Sequence, residues 1–220
     1  VSNEVKSVSD EIKVLLMEQD IDYLKARGYT QHAIKTEELI SVEAGPHEIQ
    51  GIKFTAEKPA IVFVCRSMAN TLIGLQVATR NEKNYRFYQH PDAKHLPIMY
   101  STADDRRMLY ETREMVLVEG VFDRIALKNV MPEWAVFARL SKGVGLQMVE
   151  LMKRFTKTVW LCFDQDEAGT KGTEQAMKKL EGLEIYEIRY PAKDPSELVM
   201  KLGEKEVRRL FLAQMNNLRV

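Results

Sequence analysis

The sequence predicts an α/β protein, a parallel sheet flanked by helices and preceded by a smaller mixed α+β lobe that is basic. From residue 115 onward, short apolar runs alternate four times with helical patterns, the pattern of strand-helix units in a doubly covered parallel sheet. Between residues 61 and 88 the runs are β-branched or aromatic and are broken by polar turns, as in a strand meander. A chain of 220 residues, 45% hydrophobic and 29% charged, carries a sizeable core and is too apolar for wholesale disorder. One unit or two coupled lobes fit this length.

Ser9, Asp10 and Glu11 before Ile12, Leu15 and Leu16 predict a capped helix. A second short helix passes through Tyr23 and Leu24 and stops at Gly28, and Thr30 opens a third over 31–39. Residues 45–59, rich in Gly, Pro, Glu and Lys, mark a connection or an exposed hairpin. Strands follow at 61–64, 71–77 and 85–88, with turns at 67–70 and 81–84. After a polar stretch at 104–107 come four strand-helix pairs: 115–118 with 121–129, 134–137 with 145–155, 159–163 with 168–180, and 184–190 with 195–202. The lobe boundary is placed near 110, giving an N-terminal helical and β-meander lobe (1–110), an α/β lobe (111–203) and a C-terminal helix (204–220). Val207, Leu210 and Phe211 would pack that last helix back onto the body.

Thirty-two basic side chains balance thirty-two acidic ones, which excludes nucleic-acid binding through a global basic field. Local separation is present. Between 51 and 100, Lys53, Lys58, Arg66, Arg80, Lys83, Arg86 and Lys94 outnumber Glu57, Glu82 and Asp92. Arg66, Arg80 and Arg86 are the candidate nucleic-acid or nucleotide contacts, and Tyr85, Phe87 and Tyr88 around Arg86 are candidate stacking platforms for bases. The neutral total predicts weak, salt-sensitive DNA binding by the chain alone. Cys65 and Cys162 sit apart in apolar runs, and with four histidines they build no zinc site and no disulfide framework. A reducing cytoplasm fits. No signal-peptide core or membrane-length apolar run occurs, and the missing initiator Met points to a processed or excised chain.

Open α/β sheets bind ligands beyond the carboxyl ends of their strands, and acids stand there repeatedly. The first strand ends in Glu119-Gly120-x-x-Asp123, the third in Asp164-x-Asp166-x-x-Gly169, and the fourth is followed by Lys193-Asp194-Pro195. If strands one and three are neighbours, three or more carboxylates converge on one edge, and such crowding is costly without cations. Magnesium, or manganese in its place, suits a sparse carboxylate edge without histidine. Phosphoryl transfer is the chemistry implied, with two ions about 4 Å apart activating the attacking oxygen and stabilising the leaving one. Gly120 and Gly169 would allow tight strand-to-helix turns.

The ordered set Glu119-Gly120-x-x-Asp123, Phe163-Asp164-x-Asp166-x-Ala168-Gly169 and Lys193-Asp194-Pro195 resembles the Toprim domain, and within that group the catalytic core of DnaG-type primases. Tyr23-Leu24-x-x-Arg27-Gly28, and the run from Ile61-Val62-Phe63 to Ile73-Gly74, are also similar to that core, so the resemblance covers about residues 20–203. It implies a Toprim-type sheet and template-directed synthesis of RNA primers on single-stranded DNA from ribonucleoside triphosphates. Asp164 and Asp166, with help from Asp194, would hold magnesium. Glu119 would complete the metal site or take the proton of the attacking 3′-hydroxyl, and Asp123 would orient its loop.

Departures from the family are specific. Its Lys-Tyr-x-Asn-Ser-Pro ridge is replaced by Arg86-Phe87-Tyr88-Gln89-His90-Pro91, and an arginine ending the preceding strand falls near Ala78, with Arg80 on the same strand face as its substitute. The family's zinc-ribbon module and helicase-docking domain are not in this sequence, so a separate zinc-binding module or a replicative helicase would supply template selection and recruitment. A Toprim nuclease and a catalytically silent primase-like replication module are the alternatives. A topoisomerase is disfavoured, because the chain is short for one and has no evident setting for a catalytic tyrosine.

Overall fold

Turn chemistry lays out the N-terminal half. The computed structural model describes residues 16–27, 29–82 and 84–219. The expected helix near Ser9, the stop at Gly28 and the position of Lys83 lie outside them. Two short helices, α1 (Glu18–Ala26) and α2 (Gln31–Thr36), lead into six strands: β1 (Leu39–Val42), β2 (Gly45–Ile49), β3 (Ile52–Ala56), β4 (Ala60–Arg66), β5 (Leu72–Thr79) and β6 (Tyr85–Gln89). Leu39 opens β1 instead of closing α2, so the third helix is shorter than its sequence pattern. Asn70 and Asn81 take positive φ (64° and 61°) at the turns after β4 and β5, a conformation asparagine tolerates. Gln50 and Gly51, both at positive φ, close the β2–β3 hairpin as a two-residue turn.

The antiparallel order is β1-β4-β5-β6. The hairpin covers one face, packing Ile52 and Phe54 over Val62, Val64, Leu75 and Val77. On the other face, Ile61, Phe63, Cys65 and Ile73 join the core of the rest of the molecule. Burial on both faces is why β4 and β5 read as continuous apolar runs. Both cysteines are free and buried.

The second sheet contains β7 (Met99–Tyr100), β8 (Glu114–Val118), β9 (Val136–Arg139), β10 (Thr158–Leu161) and β11 (Glu184–Glu187). Its order is β11-β10-β8-β9-β7, parallel throughout except for β7. The helices are α3 (Ala103–Thr112), α4 (Val121–Val130), α5 (Leu146–Phe155), α6 (Glu167–Lys179), α7 (Pro195–Leu202) and α8 (Glu204–Leu218). One face buries Ile125, Leu198, Val207 and Phe211 from α4, α7 and α8. The other buries Leu109, Met148, Met152, Ala176 and Leu180 from α3, α5 and α6. β8 and β10 are direct neighbours, and the chain leaves β8 towards β9 on one side and β10 towards β11 on the other, which makes their carboxyl ends a topological switch point.

Two further elements differ from expectation. The polar stretch at 104–107 is the first part of α3, started by a capping box in which Thr102 and Asp105 bond reciprocally. Strand 134–137 is shifted two residues later, because Trp134 and Ala135 precede the ladder. A closed ionic network joins the two sheets: buried Arg124 on α4 pairs with Glu37 and Asp105, and Asp105 also meets Lys128 at 3.0 Å. Tyr100 donates its hydroxyl to Glu37 at 2.5 Å, and Arg124 Nε donates to the Val136 carbonyl at 3.1 Å. No helix among the described residues is long and apolar enough to cross a membrane.

Candidate active site

Three strand-to-helix junctions bring the acids to one edge. Glu119 follows β8 directly, Gly120 is the N-cap of α4, and Asp123 lies in the first turn of that helix. Asp164 follows β10, and Asp166 caps α6 by accepting the Gly169 N–H at 2.9 Å. Gly169 has no alternative here, since a Cβ would sit 1.9 Å from the Asp164 carbonyl oxygen. Gln165 N–H donates to the Lys193 carbonyl at 2.7 Å, tying this loop to the one that carries Asp194. Asp194 caps α7 through Glu197 N–H (2.8 Å), and Ser196 N–H reaches Asp123 Oδ1 at 3.3 Å.

The acids and the inner face of the antiparallel sheet border a cleft of about 460 Å³. Its lining includes Glu119, Asp123, Asp164 and Asp194 on one side and Arg27, Gln76 and Tyr85 on the other. Burial, reinforced by Asp194 and Asp164, pushes the Asp123 carboxyl up to about 7. Burial, then Glu119, Asp194 and Asp166, pushes Asp164 up to about 6. Asp166 is exposed and stands beside the cleft, outside its lining.

The acids share one edge closely enough that Glu119, Asp194 and Asp166 all act on Asp164, while among the described residues no group of three or more His, Cys, Asp or Glu is already gathered as a closed metal cage. The donor set is all oxygen, and two of its carboxyls are penalised for carrying charge. That suits an ion which takes one or two carboxylates and completes its shell with water and phosphate, the habit of magnesium.

The three expected arginines lie outside this lining. Arg66 Nε is 2.8 Å from Glu38, and Arg80 Nε is 2.6 Å from buried Asp20, with Nη1 donating to Gln19. Strand alternation splits the aromatic set around Arg86. Tyr85 and Phe87 face the cleft side, Tyr85 with its ring 6.0 Å from Phe122, whereas Tyr88 packs on Phe54 at 5.3 Å and Arg86 pairs with Glu57 at the surface. The cleft cations are Arg27, Arg139, Lys142 and Lys193. Arg27 is held over the Phe122 ring (4.3 Å) and donates to Tyr23 OH at 2.8 Å. Arg139 ends β9 and lies 2.9 Å from Glu119 Oε1. Strand ends searched for cations as well as acids would have revealed Arg139 and Lys142.

Comparison with known proteins bears on the fold that carries this cleft. A Toprim-like family model matches residues 116–199. A DNA primase of Aquifex aeolicus is 29% identical over 59% of the chain, which spans 27% of that relative's length. The fold matches the zinc-binding and RNA polymerase domains of the Aquifex aeolicus primase with a TM-score of 0.74 at 21% identity, covering 91% of this chain and 57% of that one. It also matches a DnaG primase catalytic domain bound to single-stranded DNA, with a TM-score of 0.71 at 19% identity over 89% of this chain and 74% of that one. A Toprim-like domain in such a fold implies a divalent-metal site.

Proposed function

From a chain whose residues 116–199 form a Toprim-like domain within the fold of DnaG primase cores, we propose a DNA primase activity: template-directed synthesis of short RNA primers on single-stranded DNA by metal-dependent nucleotidyl transfer. The observation that carries this reading is the cleft itself, with Asp164, Asp123 and Asp194 on one wall and Arg27 and Tyr85 on the other. Such a pairing of walls serves a polyphosphate that arrives with a divalent cation. Residues 1–110 would guide nucleic acid, 111–203 would carry the chemistry, and the helix in 204–220 would brace the sheet.

Asp164 and Asp166, with Asp194, would hold magnesium or manganese, which when bound supplies charge neutralisation at the reacting phosphate. Glu119 would complete that set or accept the proton of the attacking 3′-hydroxyl as its oxygen bonds to the α-phosphorus and pyrophosphate leaves. Asp123 would fix the start of α4 through Ser196. Arg27, Lys142 and Lys193 would hold phosphate oxygens, and Tyr85 offers an exposed ring for a base. Arg86, exposed on the outer strand, would meet template phosphate away from the cleft, while Arg66 and Arg80 would shape that lobe through their ion pairs. The chain would work in the cytoplasm, where templates and ribonucleotides are found, beside a helicase or a separate zinc-binding module.

The test is incubation of the chain with single-stranded DNA, magnesium or manganese and all four ribonucleoside triphosphates. Template-dependent oligoribonucleotides that vanish with Asp164→Asn are expected. Absence of product on every template, with and without a replicative helicase, would overturn the reading. Metal-dependent cleavage of the DNA without nucleotides would move the chain to the nucleases.

A further inference from the structure

Arg139 occupies a built seat beside the acids. Its side chain is 4% exposed, and Nε and Nη1 have no hydrogen-bond partner. Nη2 lies 2.9 Å from Glu119 Oε1, a buried oxygen that receives no aligned hydrogen bond of its own. The guanidinium lies over the Phe163 ring at 4.1 Å. On α6, Gly172 leaves room for it, since a Cβ there would come within 3.1 Å of Nη2. The contact with Glu119 is therefore one of charge, set by packing. Asp164, Asp166 and Asp194, by contrast, make no ion pair with any described residue. The edge is divided: the protein pairs Glu119 directly, whereas Asp164 meets only the weaker charge of Lys193, outweighed by burial and by the other acids.

Resting on the metal-dependent reading above, the geometry points to Arg139 as a fixed cation that stands where a second divalent ion would otherwise be needed, so that this edge takes a single divalent ion on the Asp164 side. A guanidinium keeps its charge at every pH the fold meets and does not dissociate. It holds the Glu119 carboxyl by direct pairing in the absence of metal, which reserves Glu119 for proton transfer from the 3′-hydroxyl. Arg139 acts through Glu119 and is a positioning residue.

The test counts ions. Manganese is titrated into the full chain, and bound Mn²⁺ is measured by electron paramagnetic resonance, with circular dichroism to verify folding. The native chain is expected to bind one Mn²⁺. Arg139→Gln keeps a planar group over Phe163 without its charge and is expected to bind two; Arg139→Lys is expected to stay at one. Glu119→Gln is expected to retain the single ion, because Glu119 does not hold it. Two ions on the native chain, one ion on both native and Arg139→Gln, or loss of the site in Glu119→Gln would overturn the proposal and leave the primase reading standing. No ion on any of these proteins would overturn both. Failure of primer synthesis with the expected counts would overturn the primase reading alone.

Discussion

Adjacent residues of α4 enter two charge clusters of opposite character. Arg124 is enclosed with Glu37, Asp105, Lys128, Thr102 and Tyr100, and the positive and negative groups of that network meet one another directly. Asp123, one position earlier, enters the cleft edge, where it and Asp164 are each pushed up by burial and by other acids. Both clusters lie between the same two sheets and draw on similar side chains. What separates them is completeness: a buried network whose charges are matched within the protein is structure, whereas one with charge left over is arranged for a ligand.

The largest effect is expected where the matched network is broken. Arg124→Leu leaves Glu37 and Asp105 without their cation and should cost about 3–5 kcal/mol in urea unfolding, the scale for removing one partner of a buried pair. A loss below about 1 kcal/mol would contradict the closed-network description. Gly169→Ala forces a methyl into the Asp164 carbonyl, and overpacking of this kind costs about 1–3 kcal/mol. Displacing the Asp164 loop should also remove primer synthesis. Retention of full activity would show that the loop is not held as described.

A smaller contrast separates the two faces of the antiparallel sheet. Arg27→Ala should raise the ribonucleotide KM about tenfold, the worth of one charge-assisted contact. Arg86→Ala should leave KM unchanged and lower single-stranded DNA affinity by about twofold with a shallower salt dependence. Steady-state kinetics and fluorescence anisotropy read the two, and equal effects on KM would erase the distinction between faces.

The smallest effect is in the pH dependence of stability without metal. Asp123 titrates near 7 in the fold against an ordinary value of 3.8, and Asp164 near 6, so between these limits the native state binds more protons than the unfolded one. Stability contributed by the protonated carboxyls is fully present below about 3.8 and is lost progressively as pH rises, up to about 6 for Asp164 and about 7 for Asp123. Melting temperature should fall over that window, and Asp123→Asn should flatten the fall. An upward slope specific to the native chain would contradict the sign.

Much of this contrast was legible in the sequence, and the illegible parts share a cause. β8, β10, α4, α6, α7 and α8 were visible because parallel strands buried on both faces read as apolar runs and the helices carry clear caps or apolar stripes. The acids at their ends were visible because the strand ends were. α3 was hidden because its buried positions are Asp105 and Arg106 besides Leu109, two charges that erase an apolar period and mean something only once Arg124 arrives. β7, two residues long, has no period at all. Arg139 and Lys142 were missed because a search for acids passes over cations, and the separation of Arg86 from Tyr85 follows from which face of the antiparallel sheet the rest of the molecule covers, a tertiary fact.

The claim that the cleft edge holds surplus charge awaiting a cation is tested most directly by the melting temperature of the native chain and of Asp164→Asn as magnesium is added at neutral pH. The native chain is predicted to rise with magnesium concentration, as any ligand that binds only the folded state requires, and Asp164→Asn to stay level. Equal rises in both proteins, or none in either, would contradict it.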